Sequence, residues 1–351
     1  MKKLIKTLIT IAVIAIIGVL VFLLLSSKGN LKYTLNDDGS SYSVGIDCNG
    51  FDTWSKDKNV TIPSTHNNKP VTTIDSSGFR WSNTVVSVTI PESVTTIGKG
   101  AFADCPSLIS ISVPDSLVEV EGEFLVTDID GKMVEYVDTF YNSPNLKFNQ
   151  YDNALYLGNE NNPYVLLVKA KDKKITSCDI HSSTKVIAPG AFMDCTMLKK
   201  IFIPSDVRSI GSGAFERCKS LTEVTGGAGL IKIGSVAFAE CSSLHSMLLV
   251  WNNADGSEPK LTCIETGAFR ECTKLKNFVI PSTVIRIGAQ AFMDCDSLKS
   301  IVIPKSVQTM GNGVFDNHDM TIYCEAESKP SGWDDGWYFM GNVKWGYTVS
   351  N

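Results

Sequence analysis

Apolar residues return along this chain in one recurring phrase, apolar-x-Ile-Pro-x-x-Val-x-x-Ile-Gly-x-x-Ala-Phe-x-x-Cys-x-x-Leu-x-x-Ile, which starts at Val88. Its clearest copies run through Pro91, Ile97, Phe102, Cys105 and Leu108, through Pro204, Ile210, Phe215, Cys218 and Leu221, and through Pro281, Ile287, Phe292, Cys295 and Leu298. Within each copy, alternation such as Leu198-Lys-Lys-Ile201-Phe-Ile203 predicts a strand with one buried face. The proline that follows has no N–H to donate and ends the ladder. The Ile-Gly pair marks a tight corner where a side chain would be in the way. A unit this short cannot hide its apolar face alone, so neighbouring copies must stack, strand beside strand about 4.8 Å apart.

The position that closes Phe-x-x fixes the register: Ser82, Cys105, Ser143, Cys195, Cys218, Cys241, Cys272, Cys295 and His318. Successive spacings are 23, 38, 52, 23, 23, 31, 23 and 23 residues, a period of 23 with insertions of 15, 29 and 8. Insertions belong in loops, because a stacked core tolerates no extra residue. The predicted fold is a β-rich solenoid, a right-handed superhelix of about nine turns with parallel strands. Stacking sets like on like, so Phe79, Phe102, Phe140, Phe192, Phe215, Phe238, Phe269, Phe292 and Phe315 are expected to form an internal aromatic spine.

From roughly Val60 to His318 these units resemble the leucine-rich repeats of the BspA type, with their Ile-Gly-x-x-Ala-Phe-x-x-Cys-x-x-Leu core. The resemblance implies a leucine-rich repeat fold, and a bacterial or protist surface protein that binds host proteins or other cells. Two places depart from the pattern: Val120-Glu121 stands for Ile-Gly in the third turn, and Gly226-Gly227 stands for Ile-Pro further on.

Outside the repeats, Leu8 to Leu25 carries no charge and follows Lys2, Lys3 and Lys6; fourteen of its residues are Leu, Ile, Val or Phe. At about −0.3 to −0.6 kcal/mol each, these favour insertion by roughly 4 to 8 kcal/mol. The expected organisation is a signal anchor over 1–30, entering the membrane through residues 4–25, with everything beyond it outside the cell. A cleaved secretory signal is the alternative. An N-terminal cap follows over 31–70, where Leu31–Leu35 and Ser41–Val44 flank an Asn-Asp-Asp-Gly turn and read as a hairpin. The repeats occupy 71–320, with a hairpin insertion at about 149–175. An aromatic C-terminal cap spans 321–351, with Trp333, Trp337 and Trp345; a sugar-binding site is the other reading of those aromatics.

Composition narrows the chemistry. A net charge of −5 with well-mixed Lys and Asp/Glu argues against nucleic acid as a partner. Ten cysteines in an exported chain normally suggest disulfides. Six of them share one repeat position, where parallel side chains about 4.8 Å apart do not meet disulfide geometry, so buried free thiols are expected. The pairing of Cys48, Cys178, Cys263 and Cys324 is open. His66, His181, His245 and His318 have neither ligand nor triad spacing, and the Gly-x-Gly pairs are repeat corners. Asp128–Gly131 and Asn253–Gly256 resemble calcium loops, but Val126 and Trp251 stand where the first acidic ligand belongs. No enzyme, cofactor or metal site is expected.

Function should then lie on a surface. On the strand after each Cys-x-x-Leu, the residues between the inward apolar ones point out onto one sheet face. Phe202, Leu248, Val279 and Val302 make one apolar outward column, beside a column rich in cations: Lys199, Lys200, His245, Lys276 and Lys299. Earlier turns carry Ser87, Thr89, Ser110 and Ser112 instead. The expectation is a protein or cell-surface ligand bound by this C-terminal half of the sheet. A structural envelope protein without a specific ligand is the alternative, its outward apolar residues serving only strand propensity.

Overall fold

In the computed structural model the described residues are 31–46, 58–124, 136–137, 140, 143–249, 259–316, 319–339 and 341–348. They form a β-solenoid of about ten turns, with parallel strands and no helix. The apolar segment at 4–25, Cys48, His318 and the two calcium-like stretches lie outside them. Among the described residues no helix is long and apolar enough to cross a membrane.

Each regular turn contributes two short strands. One is the alternating strand before the proline, as in Lys200–Ile203, which pairs in parallel with Glu223–Gly226 and then Ser246–Leu249. The other is the two-residue strand before the corner glycine, as in Ser209–Ile210, which pairs in parallel with Val186–Ile187 and Lys232–Ile233. Inward residues of both strands are buried: Ile201 at 3 % exposure, Ile203 and Val224 at 0 %.

The aromatic spine forms inside. Phe192, Phe215 and Phe238 stack with ring centroids 5.0 Å apart and planes within 7°. The series continues through Phe269, Phe292 and Phe315 and ends edge-on against Trp337. A second stack joins Phe79, Phe102 and Phe140.

The cysteine column is tied to this spine by hydrogen bonds. The thiol of Cys218 donates to the Phe192 carbonyl one turn back at 3.1 Å, and Cys241, Cys272 and Cys295 repeat the bond to Phe215, Phe238 and Phe269. In the third turn, Ser143 Oγ donates to the Phe102 carbonyl at 2.9 Å. A hydroxyl therefore replaces the thiol without losing the bond, which explains why serine and cysteine share this column. The nine described cysteines are free thiols. Burial pushes Cys105 up to about 11 and Cys195 up to about 12, so both stay protonated donors at neutral pH.

The spine is not continuous, as the sequence pattern implied it would be. Phe79, Phe102 and Phe140 belong to one core and Phe192 to Phe315 to another. Between the cores lies the insertion, in which Asn149–Tyr151, Ala154–Leu157 and Leu166–Ala170 form an antiparallel unit. Its last strand pairs in parallel with Val186–Ile187. Leu157, Val165, Leu166 and Val168 face the first core, whereas Tyr156 and Leu167 face the second. The insertion is thus an internal partition that extends the sheet. The halves are bolted by Arg208 Nη1, donating to the carbonyls of Asp115 and Leu117, by Ser209 Oγ to Val118, and by the Lys232–Glu119 ion pair at 2.6 Å.

At the far end, the solenoid gains a turn that the repeat phrase does not show. Met310 bridges Trp333 and Phe315 bridges Tyr338, in parallel and one period apart, while Thr321–Cys324 pairs with both Ser300–Ile303 and Asn342–Lys344. Backbone register survives there although Trp333 stands in the corner position and Tyr338 in the spine position, which is why nine turns were legible and about ten are present.

Two kinds of glycine hold the corner. A Cβ on Gly211 would lie 2.4 Å from the Pro189 nitrogen of the preceding turn, so contact forbids a side chain there. Gly213 instead adopts φ +61°, a conformation that Val236 and Gln290 adopt at the same place in other turns. Gly213→Ala is therefore expected to cost about 1–2 kcal/mol, and Gly211→Ala distinctly more, because backbone rather than a movable side chain blocks the space. Urea denaturation of the two variants distinguishes them. Phe215→Ala, inside the longer stack with a ring packed on either side, should lower stability by about 3–5 kcal/mol in the same measurement.

Candidate functional site

The alternating strands set the outward face. In Lys200–Ile203 the exposure runs exposed, buried, exposed, buried, and the parallel register carries it from turn to turn. Phe202 lies opposite Thr225, and Thr225 opposite Leu248. The isolated bridge between Ser246 and Asn277 extends the face to the segment that carries Val279. Phe202, Leu248 and Val279 are 59 %, 61 % and 65 % exposed, against 0 % for Ile203 beside them. Val302 occupies the same repeat position and is half-buried.

Beside this column Lys199, Lys200, His245, Lys276 and Lys299 are all exposed. Lys200 pairs with Glu223 at 2.6 Å, and Lys299 reaches Asp319 at 4.0 Å. Such surface pairs contribute no more than about 1 kcal/mol, so a ligand carboxylate can compete for either ammonium. The face is locally basic on a chain that is acidic as a whole.

Two members of the row escaped the sequence pattern. Val302 lies opposite Tyr323, and Tyr323 opposite Lys344. Lys344 Nζ sits 5.2 Å from the Tyr323 ring centroid, and Tyr347 packs on the same ring at 4.7 Å. The spacing from Ile301 to Ile322 is shorter than the repeat period, which hid Tyr323 from a search by period. In the N-terminal half the matching strands, Asn59–Thr61, Ser87–Thr89 and Ser110–Ser112, turn Asn, Ser and Thr outward.

Other polar groups were weighed for chemistry. Asp194 accepts two hydrogen bonds from Arg217, at 2.6 and 3.1 Å, and these hold its carboxyl below the usual range. Glu216 is 1 % exposed; burial raises its pKa, opposed by Arg217, whose Nη1 lies 2.5 Å from Oε1. Its Oε2 has no hydrogen-bond partner among the described residues. Asp194 and Arg217 brace neighbouring turns and line a hollow of about 390 Å³ with Lys173 and Cys195, whose buried thiol stays protonated at neutral pH. Among the described residues no group of three or more His, Cys, Asp or Glu is gathered as metal ligands.

The chain matches the family described as the BspA type leucine-rich repeat region, in six copies over residues 45–131, 170–258 and 253–329, together well over half its length. No curated protein matches it. Among solved structures, a leucine-rich repeat protein of T. pallidum is 20 % identical, covering 77 % of this chain and 88 % of its own, with a TM-score of 0.32. One from Eubacterium ventriosum is 19 % identical, with 92 % and 94 % covered and a TM-score of 0.42. A leucine-rich cell surface protein of Faecalibacterium prausnitzii is 17 % identical, with the same coverages and a TM-score of 0.29.

Because the folded chain keeps Glu216 protonated to higher pH than the unfolded chain does, stability must fall as pH rises from the ordinary carboxylate value of 4.5 through the raised one. Glu216→Gln should flatten that part of the profile and raise the urea midpoint at pH 7; midpoints measured from pH 4 to pH 7 read this out.

Proposed function

Because this chain belongs to the BspA-type leucine-rich repeat family, we propose that it is a cell-surface recognition protein whose ligand docks on the outward sheet face of the C-terminal half. Repeat scaffolds of this family are characteristically non-enzymatic and compatible with protein–protein interaction. Residues 4–25 anchor it in the membrane, and the lysines before them hold the N-terminus inside, so that the solenoid faces outward. The observation that carries the reading is the row Phe202, Leu248 and Val279, each more than half exposed on one sheet face, with Thr225 between the first two. Apolar side chains gathered in this way cost solvation unless a partner covers them. Covering one of them contributes about 1.5–3 kcal/mol.

A protein ligand on this face seats apolar residues against the row and acidic residues against Lys199, Lys276 and Lys299. Such a partner combines a hydrophobic centre with a polar rim, the usual anatomy of a protein interface. Tyr323 extends the row by one strand and supplies the kind of aromatic contact enriched at binding hot spots.

Leu248→Glu in the intact, detergent-solubilised chain should weaken capture of a surface protein ligand about tenfold or more. Reversing Lys276 and Lys299 together should weaken it mainly at low salt, by slowing association. Surface plasmon resonance on the captured ligand measures both. Unchanged affinity in both variants would remove this face from the interaction.

A further inference from the structure

Trp81 is a large aromatic side chain left 56 % exposed. It stands just before the column residue Ser82, a position that Asp104, Asp194, Arg217, Glu240, Glu271 and Asp294 fill in other turns. All seven share a left-handed backbone, φ +61° at Trp81 and +55° to +62° at the others, so the position presents whatever it carries at the side of the solenoid. Six turns present a charge there. This one presents an indole.

The ring is fixed rather than free. The Arg80 guanidinium lies 4.7 Å from its centroid and is itself held by Asp104, Nε to Oδ2 at 3.2 Å. A cation over one face leaves the opposite face as the one open to a ligand. Beside the ring is an open hollow of about 560 Å³, which Lys32, Thr34, Asp75 and Ser76 also line. Gly45 and Gly78 line it through backbone alone, packed so closely that a Cβ on Gly45 would fall 2.9 Å from the Gly78 Cα.

We propose that this hollow is a saccharide-binding site, with Trp81 as the platform for a neutral pyranose ring. A pyranose has an apolar C–H face that stacks on an aromatic plane, and a rim of hydroxyls that both donate and accept. The hollow matches both requirements. Trp81 supplies the plane, Asp75 an acceptor, Lys32 a donor, and Ser76 and Thr34 groups that do either. Lys32 and Asp75 balance in charge, and Arg80 is already paired with Asp104, so the site selects a neutral sugar over an anionic one. A proline-rich peptide would also stack on an indole, but it offers one carbonyl acceptor per residue and would leave the carboxylate unmatched. The site uses the first two turns and none of the sheet-face residues, so it stands or falls separately from the protein-binding reading.

The test uses the intact chain in a zwitterionic, sugar-free detergent, titrated with maltohexaose, cellohexaose, chitohexaose and mannohexaose and followed by ligand-observed saturation-transfer NMR. Saturable binding of at least one is expected. Trp81→Ala should weaken it at least tenfold, Trp81→Phe should keep it within about threefold, and Asp75→Asn should weaken it several-fold. Because Trp81 is mostly exposed, Trp81→Ala should unfold at the same urea concentration as the parent, which separates loss of the site from loss of the fold. The proposal is overturned if no oligosaccharide binds at 10 mM or if binding survives Trp81→Ala unchanged. Trp81-dependent binding of a proline decapeptide without any sugar binding would overturn it equally.

Discussion

Turn height governs this molecule. Each turn must advance by one strand spacing, and the parts that touch between turns are all cut to that advance. Strand pairing sets a separation of about 4.8 Å, and the stacked phenylalanine rings of the longer core sit 5.0–5.6 Å apart. At Gly211 the approach is so close that a single methyl group would meet the backbone of the preceding turn. The thiols of Cys105, Cys218, Cys241, Cys272 and Cys295 each reach the phenylalanine carbonyl of the turn before at 3.0–3.2 Å. An aromatic stack, a hydrogen-bond ladder and a glycine contact therefore repeat the same translation. A turn that drifted would lose all three together, and that coupling makes the repeat phrase so strict.

The same strictness explains why the long insertion had to become structure of its own. A stack cannot absorb extra residues in its core, and the 29-residue insertion falls between Phe140 and Phe192. Its strands solve this by burying both faces, with Leu166 and Val168 toward one core and Leu167 toward the other. Polar groups then fasten the seam. Arg208 caps two carbonyls at the end of the first half, and Asn162 Nδ2 donates to Asp115 Oδ1 at 2.7 Å. Directional bonds of this kind set the angle between the halves, which apolar contact alone would leave loose.

Positions that obey the period were legible from the chain alone, down to which residue of each strand faces inward. Leu166-Leu-Val168 was legible only as an apolar run, because a strand buried on both sides has no alternation to reveal its faces. The last turn was hidden for a different reason: Trp333 and Tyr338 occupy the places of the corner Ile and the spine Phe, and the bulk of Trp333 and of Trp337 beside Tyr338 suits the end of a core rather than its middle. Trp337 closes the aromatic stack edge-on at 6.2 Å and is itself 1 % exposed. On the sheet face, the columns of Phe202 and Lys199 followed from period two, whereas the pairing of Lys200 with Glu223 and the extension to Tyr323 needed the register between strands. Trp81 drew no notice in the sequence, since only its backbone angle, its exposure and the hollow beside it distinguish it from a core residue.

The contrast between the two halves of the sheet bears on what the apolar row is for. Strands Ser87–Thr89 and Ser110–Ser112 pair in the same parallel manner, over the same kind of core, with serine and threonine turned outward. Thr225 does the same within the C-terminal half, between Phe202 and Leu248. Strand formation in this fold is thus satisfied by small hydroxylated residues, threonine being among the better strand formers. Phenylalanine, leucine and valine at the equivalent places are all more than half exposed, and they enlarge the apolar surface that water must cover. Their placement is not dictated by the inward packing, by the turn height or by propensity. That freedom is the physical ground for the proposed docking of a partner on this face.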